Sequence, residues 1–214
     1  EPDNEFDQCG EHIKRKYGEY FPSHYQEEGW APLGQYLAEQ YILYYDAIKS
    51  ADSYARAFTL GLLNLPMSPA LNPWWKSATP MWNAFTGELV DQGRPLDGIA
   101  IHAYPNNAST YHYGGEECTG DYLDHECVKE ALEDAYLFFQ STDGPPSRNE
   151  HPEITRDKTI WITEIGSLTS VEQQSWEQTR DGFELPMLLW LNNHARQGQD
   201  CQYIYAGIRW LKLL

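Results

Sequence analysis

The segment KTIWITEIGS, residues 158–167, combines an apolar run with an acidic residue at its end. Its apolar run predicts a buried β-strand, and Glu164 stands at the carboxyl end of that run. Active sites of α/β folds lie at the carboxyl ends of strands, so the Glu164 carboxylate is expected at the rim of a sheet, able to act on a bound substrate. The alternative is a structural carboxylate that caps the following loop or pairs with an arginine.

Before and after this segment, helical and strand-like segments alternate along the chain. Further apolar runs at residues 55–63, 96–105 and 201–208 predict three more buried strands. Apolar side chains at helical spacing predict helices between them, with stripes at Leu37, Tyr41, Tyr44, Tyr45 and Ile48, at Trp75, Trp82, Phe85 and Leu89, at Val128, Leu132, Ala135, Tyr136 and Phe139, and at Phe183, Met187, Trp190, Leu191 and His194. Pro80 predicts a kink or break in the second helix, and residues 143–158 predict a surface loop.

Strands that are separated by helices pair in parallel through right-handed crossovers. The alternation therefore predicts one α/β domain over residues 1–214, built either as a doubly wound sheet or as a β/α barrel.

Polar and aromatic residues also end the strand predicted at residues 96–105, where His102 and Tyr104 stand. Buried strands do not select such residues for packing, and both stand at the strand end where α/β folds place their active sites. Trp75 and Trp82 are open to two interpretations, as core residues or as platforms that stack on sugars. Their helical spacing favours the core.

Composition narrows the classes of function. The 15 basic and 32 acidic residues give a formal charge of −17, which predicts a surface that repels nucleic acid. No apolar run reaches the roughly 18 residues of a membrane span. The sequence contains no G-x-S-x-G, P-loop or G-x-G-x-x-G motif, so serine hydrolase, nucleotide triphosphatase and dinucleotide-binding functions lose support.

The four cysteines and one asparagine bear on the cellular compartment. Cys118 and Cys127 are compatible with a small disulfide loop and equally with free thiols, while Cys9 and Cys201 complete an even number. Asn107 begins an Asn-Ala-Ser glycosylation sequon. Together these features favour a secreted, extracellular protein.

A zinc site is one interpretation of His112 and His125, which stand near Cys118 and Cys127 in sequence. The spacings of these residues match no standard zinc finger or knuckle. No metal site is predicted.

Five short stretches, in this order, resemble one large group of enzymes. They are EPDN at residues 1–4, ADSYARAFTLGLL at 51–63, LDGIAIHAYP at 96–105, IWITEIGS at 160–167 and YIYAGIRW at 203–210. Their succession and spacing resemble the retaining glycoside hydrolases that are built on a (β/α)8 TIM barrel, with catalytic glutamates after strands four and seven.

The resemblance implies a role for each matching residue. Glu1 matches the acid/base that follows the fourth strand, and Glu164 matches the nucleophile that follows the seventh. His102 and Tyr104 would line the sugar subsite, and Trp210 would be an aromatic platform after the eighth strand. The chain would then hold the end of strand four through strand eight, as an incomplete barrel whose N-terminal part is missing from this sequence.

The sequence thus leads to the hypothesis of a retaining hydrolase that cleaves β-glycosidic bonds of an oligo- or polysaccharide and requires no cofactor. A non-catalytic carbohydrate-binding or structural relative of the same fold is the first alternative. A doubly wound α/β binding protein is the second.

Overall fold

The computed structural model describes residues 30–61, 79–103, 112–113, 116–117, 125–140, 149–165, 178, 181–182, 185–196 and 203–205. In chain order the elements are α1 (Trp30–Ala51), α2 (Thr79–Asp91), β1 (Gly98–Ala103), β2 (His112–Tyr113), β3 (Glu116–Glu117), α3 (His125–Gln140), α4 (Pro152–Thr155), β4 (Thr159–Ile165), α5 (Leu185–Arg196) and β5 (Tyr203–Tyr205). β2 and β3 form a separate antiparallel pair. Within these ranges, no helix has an apolar stretch sufficient to traverse a lipid bilayer.

The main sheet has three strands in the order β1, β4, β5, and both pairs are parallel. A parallel bridge from Phe58 to Gly98 adds the segment after α1 to the free side of β1. The spatial order of these four segments is therefore also their order along the chain. The parallel pairing that the helix and strand alternation predicts is observed here, in an order shared by barrels and by one half of a doubly wound sheet.

One face of this sheet is packed with isoleucines. Ile99 and Ile101 of β1 and Ile160 and Ile162 of β4 have no exposed surface and belong to one core cluster with residues of α1, α2, α3 and α5. Burial of a side chain of this size stabilises the fold by about 1.5–3 kcal/mol. These four residues hold the helical layer to the sheet.

The opposite face of the sheet is apolar as well. Side chains alternate between the two faces of a strand, so Trp161 lies opposite Ile160 and Ile162. Its ring contacts Phe58, with the ring centroids 4.5 Å apart. Gly98 leaves the space for this pair, because a Cβ atom there would lie 2.1 Å from Phe58 Cε1. Apolar residues on both faces are typical of a parallel sheet.

An aromatic cluster joins the first two helices to α3. The rings of Tyr41 and Phe85 lie 5.8 Å apart, and Trp82 is 4.9 Å from Phe139. The sugar-platform interpretation of Trp82 is therefore wrong, since it is only 1% exposed. Gly34 allows the close approach of α1 to α2, because its Cβ would lie 2.1 Å from the carbonyl oxygen of Met81.

The predicted stripe of α1 needs correction. Tyr44 and Ile48 of α1 are 52% and 36% exposed, because the core covers only the side of the helix that carries Leu37 and Tyr41. Pro80 is the second residue of α2 as described, and the residues before Thr79 lie outside the described ranges, so the kink or break at Pro80 stays a prediction.

Two predicted segments also differ from the structure. The strand predicted at residues 55–63 is a single bridge at Phe58 in irregular backbone up to Gly61. The loop predicted at 143–158 contains the short helix α4, and buried Asn149 anchors it by donating to Thr155 Oγ1 at 2.9 Å.

A polar network lies at the amino end of β1. Lys49 forms an ion pair with Asp97 at 2.8 Å, and the Asp97 carboxylate also accepts the amide hydrogen of Ala57 at 3.0 Å. Tyr41 donates its hydroxyl hydrogen to the carbonyl of Ala57 at 3.2 Å. Burial raises the pKa of the Tyr41 phenol well above its usual range. Burial alone would also raise the pKa of Asp97, but the bonds from Lys49 and the Ala57 amide outweigh it and hold that pKa below its ordinary value of 3.8.

We expect Asp97→Asn to lower the free energy of unfolding at pH 7 by about 1–2 kcal/mol, because it removes a partly buried charged partner of Lys49. A carboxylate whose pKa is depressed by folding contributes stability above its unfolded pKa and loses it as pH falls through the folded pKa. The difference between wild type and variant should therefore shrink below about pH 4. Urea denaturation at several pH values measures it.

The matched control is Asp46→Asn, which removes the exposed ion pair between Asp46 and Arg94. Its effect should stay below about 1 kcal/mol, because solvent screens exposed pairs. Equal losses in the two variants at pH 7 would contradict the role assigned to Asp97.

Candidate active site

The carboxyl ends of β1 and β4 bring together two of the predicted site residues. His102 of β1 and Glu164 of β4 are partners in the strand register, so their Cα atoms occupy one rung of the sheet. They are 62 positions apart in sequence (164 − 102), and the stretch between them includes β2, β3, α3 and α4. This rung is the centre of the candidate site.

The register changes just before this rung. Ile101 pairs with Ile162, whereas the next residue of β1, His102, pairs with Glu164, so Thr163 is an extra residue in β4. Thr163 donates its hydroxyl hydrogen to the carbonyl of Ile101 at 3.3 Å. An extra residue of this kind is a β-bulge, which bends the strand and shifts its alternation by one residue. Bulges are frequent beside active sites, where they re-aim the residues that follow.

The segment that follows the Phe58 bridge contributes Gly61. The imidazole of His102 lies against this glycine, and a Cβ atom on Gly61 would be 2.3 Å from His102 Nε2. The His102 residue is only 7% exposed. Because Gly61 has no positive φ, the site requires glycine here for space and not for its backbone conformation.

Thr59 fixes the position of this third segment. Its amide donates to the carbonyl of Gly98 at 3.2 Å. Its hydroxyl accepts the amide hydrogen of Ala100 at 2.8 Å and donates to the carbonyl of Ala100 at 3.1 Å. One side chain thus takes the place of two backbone partners, and it holds the chain two residues before Gly61 against β1.

The face below the rung carries an unusual buried donor. The indole N–H of Trp161 is buried, and within the described ranges it has no hydrogen-bond acceptor. Buried donors of this kind are rare and call for an explanation such as an acceptor contributed by a further group. Trp161 stands three residues before Glu164, on the face that the ring of Phe58 also covers.

The other predicted residues fall outside the part of the chain that the structure describes. These are Glu1, Tyr104 and Trp210, together with Cys9, Cys118, Cys201 and Asn107. Their assignments stay predictions. Among the described residues, no cluster of three or more His, Cys, Asp or Glu side chains is placed to hold a metal ion.

Sequence reasoning missed two residues of the site, Gly61 and Thr163. A glycine inside an apolar run is a signal for a bulge or for a close approach, so Gly61 was open to detection. Thr163 carries no such signal, because threonine is an ordinary strand residue and a bulge depends on the partner strand.

Comparisons with known proteins add no further constraint. A scan against protein-family models and searches of curated proteins and of solved structures gave no significant match.

We expect Thr59→Val to lower the free energy of unfolding by about 1–3 kcal/mol. The change keeps the shape of the side chain but leaves the buried amide and carbonyl of Ala100 without the hydroxyl partner. Urea denaturation measures the loss.

Thr86→Val is the matched control. Thr86 is also buried, but its hydroxyl donates to the carbonyl of Trp82 within α2, which is already part of the helical hydrogen bonding. Its loss should be below about 1 kcal/mol. If Thr86→Val lowers the free energy of unfolding as much as Thr59→Val does, the two hydrogen bonds between Thr59 and Ala100 do not stabilise the fold more than an ordinary buried threonine hydroxyl.

Proposed function

We propose that the protein is a retaining glycoside hydrolase that cleaves β-glycosidic bonds in an oligo- or polysaccharide by double displacement. The observation that carries the proposal is the rung formed by His102 and Glu164 at the carboxyl edge of a parallel sheet. Polar residues on adjacent strand ends at this edge are the usual setting of catalysis in α/β folds.

A (β/α)8 barrel is the fold that we propose with this function. The Phe58 segment, β1, β4 and β5 would be its strands five to eight, and Glu1 would stand at the end of strand four. The sequential, parallel order of these segments supports the proposal, and so does the apolar character of both sheet faces.

The chemistry requires two carboxyl groups with different roles. In the proposed reaction the Glu164 carboxylate attacks the anomeric carbon, while Glu1 protonates the leaving glycosidic oxygen. Water then attacks the glycosyl–enzyme ester, and Glu1 accepts its proton. Retention requires the two carboxyl groups to lie about 5–5.5 Å apart, and about 6.5–9.5 Å would indicate inversion.

The remaining site residues are proposed to bind the sugar. His102 lies on the same rung as the proposed nucleophile, within reach of a ring bound there. Tyr104 would line the same subsite, and Trp210 would stack on a sugar face. The reaction needs no cofactor or metal ion, and the protein is proposed to act outside the cell on its glycan.

We expect Glu164→Gln in the full-length protein to lower kcat/KM for an aryl β-glycoside by about 10⁴-fold or more, because an amide cannot replace the attacking carboxylate. Hydrolysis is followed by release of the phenolate. A circular dichroism spectrum and a thermal denaturation curve check that the variant folds.

Glu150→Gln is the matched control, because Glu150 is exposed and lies before α4 at a distance in sequence from the strand ends. Its activity should equal that of the wild type. If Glu164→Gln also keeps full activity, Glu164 is not the nucleophile. If the wild type binds glycans without hydrolysing them, the protein is the non-catalytic relative.

We also expect hydrolysis to release a sugar with the β-configuration at its anomeric carbon, because two successive inversions restore the original stereochemistry. Proton NMR spectra recorded during the first minutes of the reaction distinguish the β-anomer from the α-anomer before they equilibrate. If the α-anomer forms first, the reaction is a single displacement with inversion, and the proposed double displacement is wrong.

A further inference from the structure

We propose that Gly61 is a positioning residue for His102, and that its lack of a side chain sets the orientation of the imidazole in the sugar subsite. The inference rests on the function proposed above, and it adds a residue that the resemblance to glycoside hydrolases does not supply. It follows from the contact between His102, near the end of β1, and Gly61, in the segment that Phe58 bridges to β1.

The space between Gly61 and the His102 ring is too small for a side chain at position 61. A Cβ atom on Gly61 would lie 2.3 Å from His102 Nε2, 3.0 Å from Cδ2 and 3.1 Å from Cε1. All three atoms belong to one edge of the imidazole, so the ring presents that edge to the glycine. Because real Cβ atoms do not approach other atoms to 2.3 Å, any other residue at position 61 must displace either its own backbone or the ring.

The backbone of the glycine segment is the less able of the two to move. Phe58 is bridged to Gly98, and Thr59 makes three hydrogen bonds to β1 through its amide and its hydroxyl. Displacement of this segment would break a buried pair of bonds at Ala100. The His102 side chain can turn while the backbone ladder between β1 and β4 stays in place, so we expect the ring to give way.

A displaced imidazole would change the rung that His102 shares with Glu164. A hydrogen bond from an imidazole to a sugar hydroxyl depends on the direction of the ring nitrogen. A displacement of the order of 1 Å in a positioning group costs about 10²-fold in rate. Gly61 would thereby act on substrate binding through His102 without contacting the substrate.

The test compares Gly61→Ala with Gly87→Ala in the full-length protein. Gly87 is a matched control, because it also faces a histidine ring: a Cβ atom at this position would lie 3.1 Å from His151 Nε2. Gly87 lies in α2 and not near the carboxyl ends of the strands. The chain has seven histidines, and the imidazole resonances of His102 are identified in ¹H–¹⁵N spectra by their loss in His102→Ala.

We expect Gly61→Ala to shift the His102 imidazole resonances and to leave those of His151 in place, whereas Gly87→Ala does the reverse. We expect Gly61→Ala to lower kcat/KM by about 10–100-fold. The double variant with His102→Ala should be no less active than His102→Ala alone, because the two changes act through one ring.

Two results would overturn the inference. One is an unmoved His102 resonance in Gly61→Ala. The other is a Gly61→Ala protein that fails to fold and that His102→Ala does not rescue, because the obstruction would then be a group other than the ring. A shifted resonance in a protein whose wild type hydrolyses no glycoside would instead reject the proposed function and leave the positioning role intact.

Discussion

The parallel ladder between β1 and β4 is the interaction on which the described structure depends. It places Ile99 and Ile101 beside Ile160 and Ile162, and these side chains unite the sheet with four helices in one core. The same ladder ends in the rung of His102 and Glu164. Burial of the isoleucines therefore fixes the register that defines the candidate site, because a slip of either strand by one residue would send its two isoleucines to the other face.

The two ends of the sheet carry different polar residues. At the amino end of β1, the carboxylate of Asp97 is held charged by Lys49 and by the amide of Ala57. At the carboxyl end, His102 and Glu164 share one rung, and Thr163 donates to the carbonyl of Ile101 beside it. The proposed function would assign chemistry to the carboxyl end and stability to the amino end, which is the division found in β/α barrels.

Sequence reasoning predicted those parts of the fold that depend on one element at a time. The apolar runs around Ile99 and Ile160 identified β1 and β4, and the spacing of Leu132, Ala135 and Phe139 identified a buried face of α3. It failed where the outcome depends on a neighbour. Tyr44 continues the apolar stripe of α1 but is exposed, because helical spacing does not tell how wide a surface the core covers.

The candidate site shows the same limit. The place of Glu164 after an apolar run makes it a candidate in the sequence, but pairing of the two strands in a constant register would put His102 opposite Thr163. The extra residue at Thr163 was not foreseeable, because a bulge is a property of two strands together.

That extra residue changes which residue of β4 lies opposite His102. In a strand of strict alternation, position 164 would share a face with Ile160 and Ile162, whose side chains are fully buried in the core. The shift of register at Thr163 changes the phase, and position 164 then matches His102, which follows Ile101 on the opposite phase of β1. The strand thus keeps a continuous apolar face as far as Ile162 and still delivers an acidic residue to the rung of His102.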